Sequence, residues 1–182
     1  MSHTSANSNP AVSAIEYDQA SPESKKTWDQ QLQTHGRMTN MKKTLARSSV
    51  ALDALMTWYP LRDRVQAFLG ERATLLFAHA ISTETDCLIC STFFRKILVE
   101  RGENPDQMRL DAHEQLVVEL GRGIANNPNR MDPQIIEKFK NLVSDDNLVD
   151  LIAFAAIMVA TNIVNNVLRV PLDDYLSSFR KG

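Results

Sequence analysis

The apolar positions of this chain fall at helical spacing, and nowhere do they alternate strictly as a half-buried strand requires. The stretch "DAHEQLVVELGRGIA" shows the pattern most clearly, with Leu116, Val117, Leu120 and Ile124 on one stripe. Helix punctuation surrounds the other stretches. Ser21-Pro22-Glu23 combines an N-cap, a proline at the first helical position and an early acid, and Gly36 closes that helix. A short helix covers "NMKKTLARSS", and a third starts near Ser49 and bends or breaks around Pro60. Gly70 precedes "ERATLLFAHAI", and Ser82-Thr83 separates that helix from a cysteine-bearing one ending at Gly102. Asn104-Pro105 opens a short segment before the amphipathic stretch. Asp132-Pro133 starts "MDPQIIEKFKNLV", and "SDDNLVDLIAF" opens a long apolar helix with acids in its first turn. There is no Asn-Gly or Asp-Gly hairpin signal. The expectation is an all-α fold, with residues 1–16 a flexible arm and 17–182 a single helical domain.

The longest apolar run, "LIAFAAIMVATNIVNNVL" from Leu151, approaches the length of a membrane span. Thr161, Asn162, Asn165 and Asn166 interrupt it, so it predicts a buried or subunit-facing helix, and no membrane partner is expected. Those asparagines need hydrogen-bond partners, across helices or at a subunit interface. The N-terminal "MSHTSANSNPAVSA" has no apolar signal core, which makes the cytoplasm the expected location.

Composition adds little chemistry. Of the 182 residues, 43% are hydrophobic and 23% charged, ordinary values for a globular chain. A net charge of -2 leaves no footprint for nucleic acid. Lys42-Lys43 and Arg62 to Arg64 read as solvated basic faces. Trp28, Trp58, Tyr59, Phe68 and Phe77 read as core packing, and His113 as a solvated first-turn residue. No phosphate loop, metalloprotease motif or serine hydrolase elbow occurs.

The two cysteines change the picture. In "TETDCLICSTFFRK", Thr83 and Asp86 have capping-box spacing, which predicts Thr83 as N-cap, Cys87 at the end of the first turn and Cys90 one turn on. Residues three apart share a helical face, so the sulfurs can meet. The helix N-terminus lowers a thiol's pKa, while Glu84 and Asp86 oppose it. Three readings are open for the pair: a redox dithiol, inert core cysteines, or part of a zinc site. Zinc needs more ligands than His3, His35, His79 and His113 supply at metal spacing, so no metal and no cofactor is expected.

"LGERATLLFAHAISTETDCLICSTFFRKIL" resembles the core of the carboxymuconolactone decarboxylase and alkylhydroperoxidase D-like family. Its flanks "IEYDQASPESKKTWD", "GRMTNMKKTLARS" and "FAAIMVATNIVNNVL" are similar to the family's leading and closing helices. The resemblance implies a helical bundle with CxxC at the N-terminal end of a helix in an antiparallel hairpin. It implies a thiol peroxidase or disulfide oxidoreductase in which Cys90 attacks and Cys87 resolves. A peroxide or disulfide would be the substrate, a thiol or protein the reductant, and a trimer or a multiple of one the assembly.

The family relays protons through a glutamate and histidines whose positions here are Leu75, Phe94 and Ile89, none of which titrates. His79 shares a helical face with Leu75 and is the nearby candidate for the relay. Two other functions stay open. One is a decarboxylase-like lactone enzyme, which would need charged or histidine side chains in its pocket. The other is a non-enzymatic binding or scaffold protein with vestigial cysteines.

Overall fold

The computed structural model describes residues 9–181, and among these it contains helices and no strand. The helices are α1 (Pro22–His35), α2 (Asn40–Leu45), α3 (Ser49–Met56), α4 (Trp58–Leu69), α5 (Glu71–Glu84), α6 (Leu88–Glu100), α7 (Ala112–Asn126), α8 (Pro133–Lys140) and α9 (Asp145–Leu168). Short 3-10 turns occur at Tyr17–Gln19, Pro128–Arg130 and Asp174–Phe179.

Local sequence explains most boundaries. Ser21, Asp132 and Ser144 each accept a first-turn N–H as N-caps of α1, α8 and α9. The α3–α4 break falls at Thr57, ahead of Pro60, which occupies the first turn of α4 where its missing N–H costs nothing. Gly70 joins α4 to α5 at φ 87°, a conformation side chains disfavour.

Helix α5 is the centre of the bundle and packs against α4, α6, α7 and α9. Its Phe77 and Ile81 are fully buried with Phe154 of α9 and Leu120 of α7. Gly121 lets α7 approach, since a Cβ there would lie 3.0 Å from the Phe77 ring and 3.1 Å from its carbonyl oxygen. At the start of α5, Glu71 pairs with Arg101 just past α6, and Arg72 pairs with Glu103 at 2.8 Å and with Glu114.

By length and composition α9 is the one helix among the described residues long and apolar enough to cross a membrane. Its Leu151, Phe154, Ala155 and Met158 belong to the core.

A second, smaller core lies under α1–α3 and contains Ile15, Trp28, Leu45, Leu52 and Leu55. Residues 1–8 of the expected arm lie outside the described residues. Residues 11–15 are tied to the body: the Ala11 N–H donates to Leu168, the Ile15 N–H donates toward Lys43, and Arg47 holds Ser13. Burial of Ile15 at 5% exposure anchors this strap.

Candidate active site at the paired cysteines

Helix α5 does not stop at Ser82-Thr83. The Ser82 and Thr85 hydroxyls donate back to the carbonyls of Ala78 and Ile81, and the helix runs on to Glu84. It ends in a Schellman arrangement, in which the Cys87 N–H donates to Ser82 and the Asp86 N–H to Thr83. Asp86 supplies the left-handed residue at φ 51°, which aspartate tolerates better than most. The expected capping box at Thr83 is therefore corrected. Cys87 is itself the N-cap of α6, and Cys90 sits three residues on, in the first turn.

Both cysteines are free thiols and both are buried, Cys87 at 0% exposure and Cys90 at 8%. Cys90 lines a cavity of about 250 Å³, whereas Cys87 lies behind it. The pair divides its acidity unequally. The adjacent Cys90 thiol favours a negative Cys87 sulfur, aided by oriented N–H groups of Cys90 and Ile89 and by the Asn165 amide, which together outweigh burial and hold the Cys87 pKa down. Those backbone groups orient toward the sulfur without completing a cap hydrogen bond. Cys90 is pushed well up by its contact with Cys87 and by burial.

The donor that sequence reasoning did not place in the site is Asn165. Its Nδ2 lies 3.4 Å from the Cys90 Sγ, 3.8 Å from the Cys87 Sγ and 3.6 Å from the Met41 Sδ. Its neighbours hold the turn: Asn162 donates to the Thr85 hydroxyl at 2.8 Å and Asn166 to the Thr85 carbonyl at 2.9 Å. The signal was present as three asparagines on an apolar helix. Their partners prove to lie within the chain, around the cysteine turn.

The non-titrating positions cluster as well: Leu75, Ile89 and Phe94 all line the cavity beside Cys90. His79 does not line it. The charges acting on its ring are those of Arg95, Asp106, Arg122 and Lys181, and burial pushes its pKa down to about 4. The basic runs also depart from the solvated reading. Lys43 pairs with Glu16 and Arg64 with Asp150, but Lys42 is buried at 3% exposure in the cavity wall. Trp58 and Tyr59 line that cavity too.

A crystal structure of an uncharacterized peroxidase-related protein from Silicibacter sp. TM1040 superposes with a TM-score of 0.69. The match covers 96% of this chain and 100% of that one, at 17% sequence identity. The two share a fold. No family model and no curated protein matches the chain.

A largely apolar cavity lined by one of two adjacent thiols suits dithiol chemistry. The side chains acting on the two thiols are each other and the Asn165 amide, which does not titrate, so the proton carriers at the sulfurs are the thiols themselves and water.

Proposed function

We propose that this protein is a thiol-dependent oxidoreductase that reduces a peroxide by cycling Cys87 and Cys90 between dithiol and disulfide. The observation that carries the reading is the division of labour between the sulfurs. The acidic one is fully enclosed and its partner faces the cavity. The peroxidase-related neighbour supports the same class.

In the resting pair one proton sits on Cys90 and the charge on Cys87. Cys87 takes that proton, and the Cys90 thiolate attacks the outer oxygen of the peroxide. The O–O bond breaks, Cys90 becomes a sulfenic acid, and the departing alkoxide takes the proton from Cys87. The Cys87 thiolate then attacks the Cys90 sulfur, the S–O bond breaks, and the hydroxide that leaves becomes water by taking back the proton the dithiol gave to bulk solvent on ionising. The products are an alcohol, water and the disulfide, which a thiol reductant reopens by exchange. Cys87 is base, acid and resolving thiol in turn, and His79 is outside the sequence.

Serine replacement tests this. Cys90→Ser abolishes peroxide turnover. Cys87→Ser leaves a trappable sulfenic acid on Cys90 and slows its formation by about 10²-fold or more, the usual worth of a positioned proton carrier. If neither replacement changes peroxide or disulfide turnover, the scaffold reading stands instead. A homo-oligomer, trimeric or a multiple of three, belongs to the same proposal. It is supported by Val149, Ile163 and Val167, exposed along α9 at 68%, 54% and 67%. A monomer mass in light scattering would end that part.

A further inference from the structure

The cavity that reaches Cys90 has a cationic wall that the dithiol chemistry does not use. Lys42 is on α2, and its side chain is almost wholly enclosed in that wall. No carboxylate among the described residues acts on it; the nearby charge is that of Arg37, another cation. Its ammonium stands 5.1 Å from the centre of the Tyr59 ring, and the Arg62 guanidinium stands 5.3 Å from the same ring.

Of the other charged groups of the cavity, Arg62, Glu71 and Arg101 have ion-pair partners. Glu71 and Arg101 pair with each other, and Arg62 pairs with Asp63. Asp173 accepts the Asn40 N–H at 2.9 Å through Oδ1 while its Oδ2 is buried without a hydrogen-bond partner, and the cations acting on it are Arg37 and Lys43, not Lys42. A buried ammonium without a counter-charge is costly, and such a cost persists in a protein most readily where a ligand anion relieves it.

The same helix ties Lys42 to the cysteines. Met41 touches the Asn165 amide that faces both sulfurs, and Lys42 is the next residue, about 100° further round α2. Cys90 and Lys42 therefore line one cavity at different points, with Trp58, Phe93 and Phe94 supplying apolar wall.

We infer that the cavity takes an organic hydroperoxide bearing a carboxylate away from its peroxide group. The carboxylate is held by Lys42, the apolar body by Trp58, Phe93 and Phe94, and the peroxide meets Cys90. This rests on the peroxidase reading for the reaction, but not for the binding.

Titration calorimetry separates the two. The probes are the para-carboxylate of cumyl alcohol, which cannot react, and cumyl alcohol itself. The wild-type protein should bind the carboxylate tighter than the neutral alcohol by about tenfold or more, the worth of one charge-assisted contact. Lys42→Met should abolish that preference and change the affinity for cumyl alcohol by about threefold or less. The corresponding hydroperoxides should show the same preference in kcat/KM. Equal wild-type affinity for the two alcohols, no binding of the carboxylate, or a preference that survives Lys42→Met would each overturn the inference. A preference that holds while neither hydroperoxide is reduced would sustain the anion site and remove the peroxidase reading.

Discussion

Lys42→Met should make the unliganded protein more stable, and the gain should depend on pH in a defined way. Burial and Arg37 push the Lys42 pKa from 10.5 down to about 8 in the folded protein. A lysine in the unfolded chain still binds its proton up to about 10.4. Between these values the unfolded state holds more protons, so stability rises with pH across that window. Below about pH 8 the lysine is charged in both states and the folded state bears the full cost of the enclosed charge, about 3 kcal/mol. Methionine keeps much of the alkyl packing and removes the charge. At pH 7 its melting temperature should therefore exceed wild type by about 6–12 °C for a chain of this length. By about pH 10.5 the folded lysine is neutral and the unfolded one about half protonated, so the difference should largely vanish. Differential scanning calorimetry of both proteins at matched pH measures it. A variant no more stable than wild type at pH 7, or a difference unchanged up to pH 10.5, would refute the reasoning.

Three further outcomes are expected. His79→Phe should leave peroxide turnover within about twofold of wild type, a change far below the worth of a lost proton carrier. Because His79 titrates near 4 when folded and near 6.5 otherwise, it favours the native state fully above pH 6.5 and loses that contribution as pH falls towards 4. The variant should then lose less stability than wild type in that window, and a large fall in turnover would return His79 to the mechanism. Asn165→Leu should move the Cys87 thiol back toward its ordinary value and slow oxidation at neutral pH by about tenfold or more, read by stopped-flow thiol loss. An unchanged rate would show that the amide does not stabilise the thiolate. Gly121→Ala should destabilise by about 1–3 kcal/mol in urea unfolding, because the Phe77 carbonyl it meets cannot move aside.

Features set by neighbouring residues were legible in the sequence. Ser21-Pro22, Asp132-Pro133 and Ser144 cap helices where short-range chemistry places them, and the cysteine spacing brings both sulfurs to one amide. Features set by tertiary packing were not. Thr83 and Asp86 have the spacing of a capping box, yet the Ser82 and Thr85 hydroxyls bond backwards and α9 grips the turn, so α5 extends past the expected stop. Lys42 and Lys43 are adjacent and alike in sequence. Which of them is buried depends on the roll of a six-residue helix against Tyr59, and nothing local to α2 determines that roll. Asn165 announced that it needed a partner, but its sulfur partners are about 75 residues away.

The division of the interior into two unequal cores bears on how a molecule gets to Cys90. Thr39, Met41, Lys42, Leu55 and Met56 form one side of the cavity, and all belong to the N-terminal helical layer built over the smaller core. The opposite side is α5, α6 and α9, embedded in the larger one. Local opening free energy follows the apolar contact that each unit makes, so the layer over the small core is expected to open before the cysteine helix. The sulfurs are thus mounted on the larger core and face the layer built over the smaller one. Amide exchange should accordingly be faster in α1–α3 than in α6, and the strap at Ala11–Ile15 ties that outer layer to α9 through the bond from the Ala11 N–H to Leu168.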